Sequence, residues 1–354
     1  MKRIEIVRPF NAHVHLRRGT ILNDVIGYTA NICGHAVLMS NFLPPVDDLN
    51  LLLEYEQEVE EASRPWPLFS PVMVIMLTPR VTVETIKLCA PNAKVLKLIP
   101  ANTSTNSQAG VSLENIENYY NVLEEVRNQN MIFSVHAEKM TDKNGNNIPE
   151  AKREKAALPI LEKIVHDIPG LKIIMEHVST KEGVDFVLSC PNNVVGTVTA
   201  HHIYFSDVYL YDSHRLIPEF YCKPVLKAWE HRQAVELIVL RGSKKFFYGS
   251  DSAPHPWNKK FETDPPAAGI FSEPVAISLI AETFDRQNSL HQLENFLSLA
   301  GREFYGLTIP NQKIAIYNDG EDWQVPETVG KDNIPVLMGG KSLSWKIEQI
   351  HKQP

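Results

Sequence analysis

The residues able to do hydrolytic chemistry fall in short groups, each at the end of an apolar run. His13-Val14-His15-Leu16-Arg17 opens the series. Lys97 follows in Lys94-Val95-Leu96-Lys97-Leu98-Ile99-Pro100, then Val135-His136-Ala137-Glu138, Met175-Glu176-His177 and Gly249-Ser250-Asp251-Ser252-Ala253-Pro254-His255. Each member has an ordinary reading. A lone His at a strand end is usually a satisfied polar residue. Lys97 could carry its charge to the surface on an apolar stem, and Asp251 could close a turn. The H-x-H spacing is less ordinary. Alternate residues of a strand share one side, so His13 and His15 can present both imidazoles to one point. Neutral imidazole is the commonest metal ligand. Four imidazoles, a carboxylate and a modified lysine suit two borderline divalent ions such as zinc. Burial beside cations would lower the Lys97 pKa and free its amine. Such an amine can take up carbon dioxide and become a carbamate, an anionic bridge. A hydroxide shared by the ions would be a nucleophile near neutral pH, and Asp251 could bind one ion and shuttle a proton.

These groups need a frame that brings distant strand ends together. Eight β-rich runs can be counted, roughly Val7–Leu16, His35–Asn41, Leu68–Met76, Ala93–Pro100, Met131–Glu138, Lys172–Val178, Val194–His202 and Lys244–Ser252. Most are almost continuously apolar, as parallel strands covered on both faces are. Helical spacing separates them. Leu52, Tyr55, Val59 and Ala62 recur every three or four residues. So do Ile116, Tyr119, Tyr120, Leu123 and Val126, and a further helix is expected from about Pro274 to Asp285. Strand–helix alternation fits a doubly wound sheet or a closed barrel. No Gly-rich phosphate turn follows the first strand, which favours the barrel. In a (β/α)₈ TIM barrel the site lies at the carboxyl ends of the strands. His13 and His15, Lys97, His136, His177 and Asp251 fall at the ends of strands one, four, five, six and eight. His201 and His202, at the end of the seventh, are read as supporting or structural.

The 354 residues exceed the about 250 that a minimal barrel needs. The expected organisation is one domain over 1–354, with 309–354 a short C-terminal extension of β-like pieces packed on the barrel. Charged residues are 22%, the net charge is −7 and no long basic run occurs, so nucleic acid is not an expected partner. No apolar run reaches the ~20 residues of a membrane span, and Met1–Phe10 lacks a signal-peptide core. Cys33, Cys89, Cys190 and Cys222 form no C-x-x-C pair. A reduced, cytoplasmic protein acting on a small molecule is expected, and a homodimer is left open.

With these stretches in hand the sequence resembles the dihydroorotases of the amidohydrolase superfamily, in their compact bacterial form. The resemblance rests on His13–Arg17, Met39–Pro45, Lys97–Asn106, Val135–Glu138, Glu176–Lys181, Phe220–Lys227, Gly249–His255 and Ala267–Pro274. It implies that His13, His15 and Asp251 hold the more buried of two zinc ions. His136 and His177 would hold the other, and the Lys97 carbamate would bridge them. Arg17, Asn41 and His255 would grip a substrate carboxylate, and backbone near Lys223 and Ala268 would contact the ring. Ser104 and Thr105 would sit on a lid over 101–110. The implied reaction is reversible cyclisation of N-carbamoyl-L-aspartate to L-dihydroorotate, in pyrimidine synthesis. Departures from the family pattern are Arg18, where an acid is expected, Ile99 for an aromatic residue, Ser104 for a threonine, and Lys223, where some members have leucine. A hydantoinase or dihydropyrimidinase would share the metal site, but its uncharged ring needs no guanidinium fork. A non-catalytic scaffold on the same barrel would be expected to lose ligands, and none is lost.

Overall fold

Strands apolar at nearly every position must be covered on both faces. The computed structural model, which describes residues 1–349, shows how; the last five positions of the expected extension, 350–354, lie outside the described residues. All eight expected strands form: Phe10–Val14, His35–Leu38, Ser70–Met76, Ala93–Leu98, Ile132–Val135, Lys172–Met175, Val194–Val198 and Phe246–Tyr248. They pair in chain order and in parallel. The first and eighth strands close the ring, for Asp251 N donates to His13 O and His15 N to Ser252 O, both at 2.9 Å. The architecture is a (β/α)₈ TIM barrel.

Period-two alternation divides the apolar residues into two layers. Val37, Val74, Val95, Ile132, Ile174, Val195 and Phe247 fill the barrel interior with Phe10 and Ala12. Their neighbours, among them Leu38, Leu96, Phe133, Ile173 and Phe246, pack outward under the helices. One step up the inward parity, the plug turns polar. Above Val95, Ile132, Ile174 and Val195 come Lys97, Ser134, Glu176 and Thr197, none more than 1% exposed. The first strand is irregular. Phe10 and Ala12 point in, yet Val14 belongs to the outer layer, and its register shifts between Asn11 and Val14. Such a shift re-aims side chains beside a site, here so that His13 and His15 face the barrel mouth.

The helix over Leu49–Ser63 buries Leu52, Tyr55 and Val59, and the Asp48 side chain accepts from Leu51 N as its cap. Ala276–Arg286 forms the helix expected from Pro274. The stripe from Ile116 to Val126 is split into a 3-10 stretch, Leu113–Tyr119, and an α-helix, Tyr120–Asn128; Tyr119 leaves helical geometry between them. The ends also differ from expectation. Lys2–Val7 is a strand outside the barrel, pairing antiparallel with Lys313–Asn318, which pairs with Lys346–Gln349. Two strands of the extension are thus part of a sheet that the start of the chain completes, while Trp323–Gln324 pairs with Ser342–Leu343 and Thr328–Val329 with Ile334–Pro335. The extension then returns to the rim, where Leu337 N donates to Phe271 O (3.0 Å) and Trp257 N to Asp332 O (3.3 Å). Among the described residues no helix is long and apolar enough to cross a membrane.

Candidate active site

One cavity at the carboxyl ends of the strands is lined by His13, His15, Arg17, Asn41, Lys97, Ser104, Thr105, His136, His177, Lys223, Asp251 and Ala268. His255 adjoins it, its Nε2 3.2 Å from Arg17 Nη2. The structure therefore brings together the candidate metal-ligating and substrate-binding residues, and it gives the cavity two chemically different poles.

The first pole is made of acceptors that face one another. His13 Nδ1 lies 2.9 Å from Glu176 Oε2. Ser134 Oγ and Thr197 Oγ1 also donate to this carboxylate, each at 2.5 Å. Burial opposes the Glu176 charge, but Lys97 and His13 outweigh it and hold the pKa at about 2. A carboxylate only accepts, so His13 donates from Nδ1. Burial opposes its charged form, but Glu176 and Asp251 raise its pKa, and in the neutral form that a cation would select the lone pair lies at Nε2. That lone pair faces Asp251 Oδ1 at 3.2 Å, and His15 Nε2 stands 3.2 Å from the same oxygen and 3.3 Å from His13 Nε2. Burial disfavours ionised Asp251, yet His13 and His15 hold it well below the usual carboxylate range. Burial pushes His15 down to about 4, so its ring is neutral. Converging lone pairs on two imidazoles and a carboxylate repel unless a cation sits between them. The donor set thus fits a divalent metal.

Beside it, His136 Nε2 lies 2.8 Å from Glu138 Oε2, which leaves Nδ1 as its lone pair. The His136 and His177 rings are 4.6 Å apart between centroids. His177 is held well below its ordinary pKa by burial, with the neighbouring His136 adding to this. Lys97 Nζ, 1% exposed, has no hydrogen-bond partner among the described residues and stays 4.0 Å from Glu176. Burial lowers its pKa to about 8, against the pull of Glu176 and Asp251. This is an amine prepared to lose its proton.

The second pole is cationic. Arg17 is 9% exposed, and its Nε donates to Pro254 O at 3.1 Å. Its Nη1 has no partner, and no carboxylate pairs with it among the described residues. Asn41 Nδ2 donates to Thr105 O (2.9 Å) and leaves its Oδ1 free. Thr105 Oγ1 donates to Ala268 O at 3.1 Å, so this loop lies against the far wall of the cavity. The Lys223 side chain pairs with Glu150, and the residue lines the cavity. Arg18, the departure from an expected acid, pairs with Glu58 at 2.7 Å and leaves the cavity's charge to Arg17.

Three of these residues have left-handed backbone: Arg17 (φ 62°), His177 (φ 41°) and Asp251 (φ 45°). Non-glycine residues there are strained, and such strain gathers at functional sites. Gly249 serves the same packing, because a Cβ on it would stand 3.0 Å from the Cβ atoms of both His13 and Thr197.

The residues behind the site have no signature of their own in the sequence. Glu138, Ser134, Thr197 and Glu176 carry no metal-like spacing of their own, although Ser134 and Glu138 repeat the His136 parity. Asn11 accepts from Ser250 N (2.9 Å) and donates to Ser250 Oγ (2.8 Å) and Glu273, which ties the first strand to the Asp251 turn. His201 and His202 stand on a short helix, Ala200–Tyr204, rather than on the seventh strand, which stops at Val198. With Cys222 they form a buried cluster. His202 Nδ1 meets Thr199 Oγ1 (2.9 Å), while its Nε2 and Cys222 Sγ both meet Pro224 O. His202 has no nitrogen left to offer a cation, so this group is a hydrogen-bonded one.

No family model matches the chain. Curated relatives do. The dihydroorotase of Shewanella loihica is 37% identical over 358 residues, covering 98% of this chain and 100% of its own. That of Shewanella amazonensis is 36% identical over the same shares. Among solved structures, dihydroorotase from Saccharomyces cerevisiae in complex with 5-fluoroorotic acid has a TM-score of 0.92 at 27% identity over 100% of both chains. Dihydroorotase from Campylobacter jejuni has 0.87 at 29% identity, over 99% of this chain and 98% of its own. The L-hydantoinase of Arthrobacter aurescens, at 15% identity and a TM-score of 0.79, covers 98% of this chain and 83% of its own, and shares the fold alone. At 37% identity over 98% of its length with a curated relative, the chain belongs to the dihydroorotase family.

Proposed function

We propose that this cavity carries out the reversible cyclisation of N-carbamoyl-L-aspartate to L-dihydroorotate, in pyrimidine biosynthesis, with two divalent ions at its imidazole–carboxylate pole. The borderline nitrogen and oxygen donors suit zinc. His13, His15 and Asp251 would hold one ion, His136 and His177 the other, and Lys97, as a carbamate, would bridge them. When bound, the ions supply Lewis acidity for the ring carbonyl and acidify water near neutral pH.

The rest falls to the chain's own side chains. Arg17, with Asn41 and His255, grips the substrate carboxylate and so sets the ring's orientation. Glu176 and Glu138 fix which nitrogen of His13 and His136 carries the proton. Ser104 and Thr105 close the loop over the ring and exclude water. In hydrolysis a water oxygen bonds to the ring carbonyl carbon while Asp251 takes the water proton. The ring C–N bond then breaks, and Asp251 returns the proton to the departing nitrogen. Cyclisation retraces the path with loss of water. We read 1–354 as one unit, with the extension buttressing the rim, acting on a small molecule in a reducing cytoplasm that suits its free, mostly buried cysteines.

The observation that carries this reading is Arg17, a buried guanidinium without a carboxylate partner among the described residues, set in the same cavity as the converging acceptors. A hydantoinase-type ring would leave that charge unused. The test is an assay of L-dihydroorotate hydrolysis with elemental analysis of the same gently purified sample. Turnover with about two transition-metal ions per chain is expected. Full activity without a transition metal, or no turnover by metal-replete protein, would overturn it. 5-Fluoroorotate, bound by the yeast relative, is the corresponding probe of binding.

A further inference from the structure

Lys260 lies on a short helix, Trp257–Phe261, and is 3% exposed. It is neither at the metal pole nor on the cavity wall. Its ammonium donates to three backbone carbonyls: Tyr221 O at 2.8 Å, Ala267 O at 3.2 Å and Gly269 O at 2.5 Å. No carboxylate lies within ion-pair distance of it among the described residues. Burying a charge without a counter-ion is costly, a cost that an apolar side chain would exchange for carbonyls left unpaired. Burial in fact pushes its pKa down to about 7, with Cys222 and Glu219 opposing. Apolar packing alone gives no reason for a lysine here.

The three carbonyls supply one. Ala267 and Gly269 flank Ala268, and Tyr221 precedes Cys222 and Lys223. Ala268 and Lys223 both line the active-site cavity. Gly269 N donates to Tyr221 O at 3.0 Å, so the ammonium sits where the two segments join. In a trans peptide the C=O and N–H point in opposite directions. With Ala267 O held by Lys260, the Ala268 N–H of the same peptide points the other way, and it has no protein partner among the described residues. Ala268 O in turn meets His255 Nε2 and Thr105 Oγ1, each at 3.1 Å. The tolerance is small, for a Cβ on Gly269 (φ 148°) would come within 2.7 Å of His255 Nε2.

We infer that Lys260 is a positioning residue for substrate: it fixes the Ala268 peptide and the Tyr221–Lys223 segment as the backbone edges against which the ring is held, and through Ala268 it aligns His255 and the Thr105 loop. This rests on the reading of the cavity as a dihydroorotate site. Contacts of this kind serve ground state and transition state alike, so their loss raises KM more than it lowers kcat.

The test uses metal-loaded enzyme, with Lys260→Met, Lys260→Gln and, as a control on the cavity, Arg17→Met. Calorimetry gives the Kd of 5-fluoroorotate, and steady-state kinetics give KM and kcat for L-dihydroorotate. For Lys260→Met, Kd and KM should both rise about ten-fold or more, with kcat changed less than about three-fold and bound metal unchanged. Lys260→Gln keeps N–H donors without the charge and should recover part of the affinity. Should Lys260→Met fail to fold, Lys260→Gln is judged by the same split against wild type. Kd and KM within about two-fold of wild type, or a fall in kcat at constant KM, would overturn the inference. If Arg17→Met also leaves the Kd unchanged, the cavity reading fails instead. A weakened Arg17→Met beside a normal Lys260→Met refutes the role of Lys260 alone.

Discussion

Replacing Arg17 with Met separates charge from shape, because methionine keeps most of the stem and loses the guanidinium. The structure sets the magnitude. Arg17 is 9% exposed; among the described residues its only backbone acceptor is Pro254 O and its Nη1 is unpartnered; burial lowers its pKa to about 10, so it remains charged at neutrality. A carboxylate entering this pole meets a guanidinium already stripped of water. Loss of such a contact costs about 3–5 kcal/mol, the upper part of the range for a buried charged pair. That corresponds to roughly a hundred- to several-thousand-fold in kcat/KM. The penalty should fall on L-dihydroorotate and spare dihydrouracil, the same ring without the carboxylate, whose slow turnover should change by no more than about three-fold. The folded state should not suffer, since an unpaired buried charge costs free energy that methionine does not. The melting temperature of Arg17→Met should equal or exceed that of wild type. The assay is ring opening of both substrates followed by absorbance, with metal content and thermal melts on the same preparations. An equal loss for both substrates would show that Arg17 shapes the cavity rather than reading the carboxylate, and no loss for either would remove it from the site.

Lys97→Ala should abolish turnover and lower bound metal, with partial return on adding short carboxylic acids; normal turnover would rule out the bridging role. Glu176→Gln takes the carboxylate acceptor from His13 and the countercharge from Lys97, so a chelator competition should show metal held about 10–100-fold more weakly. Ser104→Ala with Thr105→Ala should slow catalysis by about ten-fold or more while metal content and melting temperature stay put, and unchanged kinetics would make 101–110 a plain loop. Glu273 has its pKa raised to about 7, chiefly by burial. A folded pKa above the unfolded value near 4.5 means stability fully present below pH ~4.5 and lost as pH rises through about 7. Denaturant titrations of metal-stripped protein should therefore show wild type losing about 3 kcal/mol relative to Glu273→Gln across that window, and parallel curves would refute the assignment.

Local rules carried the sequence reading a long way. Strand parity alone predicts that His13 and His15 share a point, and their Nε2 atoms stand 3.3 Å apart. Apolar runs predict eight covered strands, since parallel strands admit little polarity on either face. The misplacements are at element ends. Val7 was read into the first barrel strand, but Lys2–Val7 pairs instead with Lys313–Asn318, a partner some three hundred residues away that no local pattern reveals. His202 was read onto the seventh strand, whereas Thr199 caps a helix there by accepting from His202 N.

The identity of the donors was thus a property of the sequence, because residue type and period-two spacing determine what a strand end can offer. Their environment was not. That Glu176 holds His13 in one tautomer while restraining Lys97, that Arg17 has no carboxylate partner among the described residues, and that Lys260 gathers Tyr221, Ala267 and Gly269 are tertiary facts, set by how the closed ring brings distant segments together. Desolvation is likewise a tertiary quantity. The same lysine and imidazoles in an open chain would titrate at ordinary values, and only burial at the barrel mouth lowers Lys97 to about 8 and His15 to about 4.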